Sequence, residues 1–210
     1  MNINMVLFLL FLILIPILNI YKSKIKGLIG EKTVASILYL LDKSEYKIIN
    51  NIVLKYGNYT TQIDHIVISD FGIFVIETKN YKGWILGYEN SEYWTQVIFR
   101  RKEKFYNPIR QNLSHIRALK NCICEFPNIE YKSIIAFSTN ADIKVNTTTD
   151  VVYSHKLIPT IKKYSKINLT QKEKEEIFQK INEQNLYKTY DKKQHIKSIK
   201  KKLKKENKKQ

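Results

Sequence analysis

The chain has 210 residues and a formal net charge of +17 at pH 7. Its length allows one domain of ordinary size with a real core, and its charge favours polyanionic partners. Its only cysteines, Cys122 and Cys124, are too few for a cysteine zinc site and too poorly placed for a disulfide, which excludes a metal-stapled or disulfide-stabilised fold. Abundant Lys, Ile and Asn indicate an AT-rich, bacterial genome.

Residues 1–22 are predicted to form a membrane anchor. The run from Val6 to Ile20 is almost wholly apolar and is close to the ~20 residues that a spanning helix needs. A cleaved signal peptide is the alternative, but no Lys or Arg precedes the run and no small-residue cleavage site follows it. Lys22, Lys24 and Lys26 follow instead, so the positive-inside rule predicts a single-pass protein whose C-terminal part is cytoplasmic.

Hydrophobic periodicity predicts a sequence of mixed helices and strands. Helices are expected over residues 26–41, 108–124 and 171–185, and strands over residues 46–55, 61–68, 73–79, 84–88, 93–99, 131–138 and 151–153. Trp84 and Trp94 are expected to pack the second hairpin, with base stacking as the alternative. The predicted domain covers residues 24–165, and a C-terminal helical segment covers residues 166–190.

Residues 191–210 form a lysine-rich tail that we predict to be disordered. Such a tail could contact nucleic acid or the anionic inner leaflet of the membrane. A plain solubilising tail is the other interpretation.

The hairpin of residues 61–79 carries the charged groups that suggest chemistry. Asp64 lies on its first strand, and Glu77 and Lys79 lie two apart on its second, so the latter two side chains share a face. A buried carboxylate and ammonium at a strand end are costly unless a ligand compensates them. A solvated, inert surface hairpin is the alternative, which the continuous apolar run from Ile73 to Ile76 argues against.

The loop of this hairpin decides what Asp64 faces. A two-residue loop with Ser69 opposite Gly72 places Asp64 opposite Glu77, whereas a three-residue loop places it opposite Thr78. In the first register two carboxylates oppose each other, which favours a bound cation. Because all the ligands would be oxygens, that cation would be Mg²⁺ or Mn²⁺.

Four motifs, in order and at approximately the right spacing, resemble the nuclease-related domain (NERD) family. They are Gly27-Leu28-Ile29-Gly30-Glu31, Ile63-Asp64-His65-Ile66-Val67, Glu77-Thr78-Lys79-Asn80 and Asn107-Pro108-Ile109-Arg110-Gln111-Asn112. The resemblance covers roughly residues 24–137. It implies membership of the PD-(D/E)xK nuclease superfamily, and so an α/β, restriction-endonuclease-like mixed β-sheet flanked by helices. The family often carries an N-terminal transmembrane helix.

The resemblance also implies site residues. Asp64 and Glu77 would bind the metal directly, with the Thr78 carbonyl as a third ligand. Lys79 would orient or deprotonate the attacking water and steady the charged transition state. Glu31 would hold a metal-bound water or a second ion. Gln111 corresponds to the helix glutamine of the nuclease-helicase branch of the superfamily.

Two histidines lie close to these motifs. His115 stands where that branch has tyrosine, and it either contacts phosphate or merely lies on the face of Gln111. His65 is expected to be structural rather than a ligand, because it points away from Asp64.

The sequence thus predicts a membrane-anchored, metal-dependent nuclease that hydrolyses nucleic acid by attack of water, with DNA favoured over RNA as the predicted substrate. The alternatives are a nucleic-acid-binding domain with the same fold and little turnover, and a membrane-tethered scaffold.

Overall fold

A computed structural model describes residues 21–22 and 24–187. Nearly all of the predicted anchor, and the whole basic tail of residues 191–210, therefore lie outside the described residues. Within the described part of the chain, no helix is both long and apolar enough to cross a membrane.

The larger of two mixed sheets has five strands in the order β1-β2-β3-β7-β9. The first three strands are antiparallel neighbours, and β7 and β9 add to β3 in parallel. The strands are β1 (Lys47–Tyr56), β2 (Tyr59–Ser69), β3 (Gly72–Lys79), β7 (Tyr131–Phe137) and β9 (Asp150–Tyr153). Because β3 lies at the centre of this sheet, both of its edges are hydrogen-bonded and its apolar run is buried.

Helices cover both faces of this sheet. On one face α2 (Pro108–Cys122) and α4 (Gln171–Glu183) bury an aliphatic cluster against β2 and β3. On the other face α1 (residues 24–38) and α3 (Leu157–Lys162) bury a second cluster. The Lys174 ammonium, itself buried, fastens α4 to the sheet through Asp70 Oδ1 at 2.6 Å and the Glu45 carbonyl at 3.1 Å.

The smaller sheet has four strands in the order β6-β5-β4-β8. They are β4 (Gly83–Tyr88), β5 (Tyr93–Ile98), β6 (Arg101–Tyr106) and β8 (Ala141–Asn146), with β8 parallel to β4. Its inner face packs Ile85 and Trp94 against Ile109 of α2 and Phe137 of β7. The chain is therefore a mixed α/β fold with two mixed sheets flanked by helices.

The structure corrects one prediction about packing and adds three elements. Trp94 is fully buried as expected, but Trp84 is 51% exposed, so it does not pack inside the second hairpin. The sequence did not predict β6, β8 or α3. β6 begins with four consecutive charged residues, Arg101 to Lys104, which all lie exposed on a sheet edge. Because they show no alternation of apolar and polar residues, the strand was not predicted.

Candidate active site at the end of the central strand

The β2–β3 hairpin adopts the two-residue loop. Ser69 pairs with Gly72 and the ladder continues to His65 opposite Ile76, so Asp64 and Glu77 occupy the next opposed positions. Gly72 is required at this turn, since its φ is +111° and an added Cβ would lie 2.3 Å from the Glu130 carbonyl oxygen. The register that opposes the two acids is confirmed.

An irregularity in the neighbouring strand pair coincides with Asp64. Asn51, which lies opposite Asp64 in the register, has a φ of 55° and interrupts the pairing of β1 with β2. Ile63 and Ile66 both enter the core on the α2 side although they are three apart, so the faces of β2 exchange here. Asp64 Oδ2 accepts a hydrogen bond from the Thr78 N–H at 2.8 Å. That contact fastens the first acid to the end of β3.

Glu77 and Lys79 form a buried ion pair on the α2 side of the sheet. The Lys79 ammonium donates to Glu77 Oε1 at 2.6 Å and to Gln111 Oε1 at 3.0 Å. Only 3% of the Glu77 side chain is exposed to solvent, and 14% of the Lys79 side chain. The predicted shared face of the two residues is confirmed, and Gln111 joins them from α2.

The second oxygen of Glu77 is held from α2 as well. His115 Nε2 lies 3.2 Å from Glu77 Oε2, and its Nδ1 lies 2.7 Å from Thr61 Oγ1. A neutral imidazole with its proton on Nε2 satisfies both contacts, since it donates to the carboxylate and accepts from the hydroxyl. His115 shares the helix face of Gln111 and also bonds the acid directly, while its contact with phosphate stays a prediction.

Glu31 reaches the site through a close contact between two of the motifs. An added Cβ on Gly30 would lie 2.7 Å from Asn80 Cβ, and Asn80 Nδ2 donates to the Lys26 carbonyl at 2.6 Å. Glycine at position 30 therefore lets α1 approach the end of β3. The Glu31 carboxylate comes close enough to Asp64 to raise the pKa of that acid.

Two buried asparagines set the position of α2, and with it Gln111 and His115. Asn107 caps the helix through Oδ1, which accepts from the Ile109 N–H at 2.9 Å, while its amide donates to the Glu89 and Ser91 carbonyls. Asn112 donates to the Val75 carbonyl at 2.7 Å, which ties the helix to β3. The Asn-Pro motif therefore fixes the start of α2 relative to both sheets.

The site distributes its charge unequally between the two opposed acids. Burial raises the pKa of Asp64 well above its ordinary value, and the nearby Glu77 and Glu31 carboxylates raise it further. Burial also acts to raise the pKa of Glu77, but Lys79 and His115 outweigh it and lower that pKa to about 2. Burial acts to lower the pKa of Lys79, yet Glu77 outweighs it, so the pKa is raised and the ammonium is retained.

The donor set of the site fits a hard divalent cation. Asp64 and Glu77 offer carboxylate oxygens, which suit Mg²⁺ or Mn²⁺ better than zinc, and a cation between them would relieve the repulsion that raises the Asp64 pKa. Over residues 21–22 and 24–187, however, no three His, Cys, Asp or Glu side chains form a group able to hold a metal by themselves. A bound ion would therefore need ligands other than these side chains.

The structure brings together the residues that the sequence singled out. Asp64, Glu77, Lys79, Gln111 and Glu31 surround the end of β3, and the Thr78 N–H bonds Asp64. Nothing in the sequence pointed to Thr61, because a threonine in a strand is common and only the packing of α2 brings it to His115.

His65 is structural, as expected. It is buried on the opposite face, where its Nδ1 donates to Asn50 Oδ1 at 2.7 Å, and burial lowers its pKa to about 4. Its Nε2 has no hydrogen-bond partner within the described residues. It is therefore a neutral imidazole and not a member of the acid cluster.

Comparisons with known proteins relate this chain to one family. The model of the nuclease-related domain family matches residues 26–138, more than half of the chain. An uncharacterized protein of Bacillus anthracis is 39% identical over 197 residues, which cover 89% of this chain and 91% of that protein. No solved structure matches significantly. The chain belongs to the nuclease-related domain family.

Proposed function

We propose that this protein is a membrane-anchored, metal-dependent nuclease that hydrolyses phosphodiester bonds of DNA. The observation that carries the proposal is the convergence of Asp64, Glu77 and Lys79 at the end of one buried strand, with Gln111 on the ammonium. An acid pair that can hold a metal ion, together with a fixed ammonium, suits metal-dependent phosphodiester hydrolysis, because the phosphate charge is neutralised while a water attacks.

Asp64 and Glu77 would hold the Mg²⁺ or Mn²⁺, with the Thr78 carbonyl as a third ligand. Bound there, the ion would supply charge neutralisation and a more acidic water. Glu31 adds a carboxylate beside Asp64, and its effect on the Asp64 pKa supports a place at the same site. His115 and Thr61 would act as positioning residues, because they fix the Glu77 carboxylate through Oε2.

Lys79 is best suited to stabilise negative charge. Its ion pair with Glu77 raises its pKa, so the ammonium is protonated at neutral pH and is a poor general base as it stands. Held between Glu77 and Gln111, it can orient a water or a phosphate oxygen without reorganising.

The proposed setting rests on the sequence. The apolar run within residues 1–22 supports a single-pass anchor, and the lysines after it support a cytoplasmic domain. The net charge of +17 supports a polyanionic substrate, and the tail of residues 191–210 is proposed to contact nucleic acid or anionic lipid.

One observation favours a second candidate, a nucleic-acid-binding or membrane-tethered scaffold domain with little turnover. Both oxygens of Glu77 are already engaged by Lys79 and His115, and the described residues contain no three-residue metal group. In this case the acid pair and lysine would remain as a structural ion-pair network.

Incubating the full-length chain in detergent with plasmid, linear duplex, single-stranded DNA and RNA tests the proposal. Cleavage is expected with Mg²⁺ or Mn²⁺ and is expected to stop with chelator. Lys79→Ala is expected to lower the rate at least about 100-fold, as the loss of one preorganised charge-stabilising group does. Lys82→Ala, at an exposed position three residues further on, is the matched control and should cleave like the parent.

The outcomes separate the two candidates. Metal-dependent cleavage that Lys79→Ala abolishes supports the nuclease. Binding of DNA without cleavage by any variant supports the scaffold, and cleavage that persists in chelator contradicts the proposed chemistry.

A further inference from the structure

The outer face of the smaller sheet carries a row of exposed aromatic side chains. Trp84 and Tyr88 on β4 are 51% and 69% exposed, and Tyr93 on β5 and Tyr106 on β6 are about half exposed at 48% and 42%. The inner face of the same strands packs Ile85 and Trp94 into the core. The exposed aromatic side chains therefore belong to one face of a sheet whose other face packs on the core.

The strand register places three of these rings in one line. Tyr93 pairs with Tyr106 across β5 and β6, and the two rings contact edge to face with centroids 6.1 Å apart. The paired residues of β4 and β5 end at Leu86 opposite Thr95, and the same register continued by two residues places Tyr88 opposite Tyr93 on the same face as Leu86. With neighbouring strands about 4.8 Å apart, the rings form a platform about 10 Å across.

Lysines border this platform on both edge strands. Lys102 and Lys104 of β6 share the face of Tyr106, and Lys144 of β8 shares the face of Trp84. The Lys144 ammonium lies 4.0 Å from the centroid of the Trp84 ring and 3.3 Å from Asp142, the one acid on these face positions of β8. The β6 edge of the aromatic strip is therefore positive, and the β8 edge carries one ammonium beside the Trp84 ring.

We infer that this face binds single-stranded nucleic acid. We call it the aromatic platform, and it consists of Trp84, Tyr88, Tyr93, Tyr106, Lys102, Lys104 and Lys144. Unpaired bases stack on exposed rings while lysines contact the phosphates, and duplex bases are not available for such stacking. An apolar protein partner would cover the Lys102 and Lys104 ammonium groups of β6 without supplying counter-charges. This inference adds a binding surface to the proposed function. It rests on that function only where it identifies the bound strand as the substrate.

The platform lies near the acid cluster along the chain. Trp84 follows Lys79 by five residues, which limits the distance between their Cα atoms to about 18 Å. Asn107 joins the two regions, because it caps α2 and donates to the carbonyls of Glu89 and Ser91 in the β4–β5 loop. A strand lying on the platform could therefore extend toward the end of β3.

The test measures binding by fluorescence anisotropy, with the full-length Lys79→Ala chain in detergent and a labelled 20-nucleotide single strand. Adding Trp84→Ala and Tyr88→Ala together is expected to weaken binding about 10- to 100-fold, the usual effect of losing stacking partners. Tyr56→Ala, an exposed tyrosine at the β1–β2 turn, is the matched control and should leave affinity unchanged. Thermal melting confirms that each variant is folded.

Charge is tested separately by the salt dependence of the same binding. Lys102→Ala with Lys104→Ala should lower the slope of log affinity against log salt by about 1.4, since each phosphate contact on a single strand contributes about 0.7. Lys172→Ala on α4 removes one exposed lysine away from the platform and should leave the slope unchanged.

The arms of the experiment identify the ligand. A duplex of the same sequence should be insensitive to the two aromatic substitutions, and an RNA strand of that sequence distinguishes DNA from RNA. Unchanged affinity of the aromatic variant for the single strand overturns the inference. The same holds if the aromatic variant loses binding only to vesicles of anionic phosphatidylglycerol and not to the single strand. If the parent chain cleaves DNA but the aromatic variant binds normally, the platform is wrong while the nuclease proposal stands.

Discussion

The two sheets of this chain differ in what they leave open to solvent. The five-stranded sheet is covered by helices on both faces, and its charged groups at the end of β3 are buried and bonded to one another. Among residues 21–22 and 24–187, the four-stranded sheet is covered on its inner face alone, and rings and lysines are exposed on its other face. The first arrangement preorganises charge for chemistry, and the second offers surface for contact. Substitutions should therefore have large effects on stability at the buried positions of both sheets and small effects at the exposed positions of the second sheet.

Glu77→Ala is expected to cause the largest loss of stability in the first sheet. It leaves the buried Lys79 ammonium without its carboxylate, so we expect a loss of about 3–5 kcal/mol in the free energy of unfolding. Glu103→Ala on the edge of the second sheet removes the partner of Arg101, but both side chains are well exposed and the loss should be at most about 1 kcal/mol. Urea denaturation measures both, and equal losses would break the comparison.

The two tryptophans test the two faces of one sheet. Trp94 is fully buried beside Phe137, with ring centroids 6.4 Å apart, so Trp94→Ala should lower the free energy of unfolding by about 3–5 kcal/mol. Trp84→Ala truncates an exposed ring and should cost at most about 1 kcal/mol. Comparable costs measured by thermal melting would show that the outer face is covered.

His65 should make the first sheet sensitive to acid. Its pKa falls from 6.5 to about 4 on folding, so the folded state favours the neutral imidazole. The contribution of His65 to the free energy of unfolding is therefore fully present above pH 6.5. As the pH falls from 6.5 to 4, the unfolded chain takes up the proton first and up to about 3 kcal/mol is lost. His65→Gln should lack this loss when unfolding is followed at pH 7 and pH 4. Parallel profiles for parent and variant would contradict the assignment of a buried neutral imidazole.

The smallest of these effects concerns the attachment of α4 to the covered sheet. Lys174→Met removes the buried ammonium from Asp70 and the Glu45 carbonyl, and should cost about 2 kcal/mol, the scale of charged hydrogen bonds. Lys172→Met, at an exposed position on the same helix, is the control and should leave the unfolding midpoint unchanged. A midpoint unchanged in both variants would show that the buried lysine contributes nothing to docking.

Most of the site followed from local pattern. The apolar run of β3 with its Glu-x-Lys end and the Asn-Pro helix start were predicted from the sequence, since they depend on alternation and capping. The sequence left the hairpin loop at two or three residues, and the pairing of Ser69 with Gly72 decides for two. The edge strand β6 and the short helix α3 could not be predicted from the sequence. The charged residues of β6 and the six residues of α3 do not show a hydrophobic periodicity long enough to indicate a strand or a helix.

What the sequence by itself determined is the set of charged residues, their order and the face on which Glu77 and Lys79 lie, because backbone alternation is a local property. What only the tertiary structure decided is how distant residues meet. His115 bonds Glu77 because Asn107 and Asn112 fix α2 on the sheet, and Glu31 reaches Asp64 because Gly30 lets α1 approach Asn80. The opposite burial of Trp84 and Trp94 was likewise decided by which face of the second sheet packs on the core. Such contacts depend on packing between elements far apart in the chain, and no local pattern encodes them.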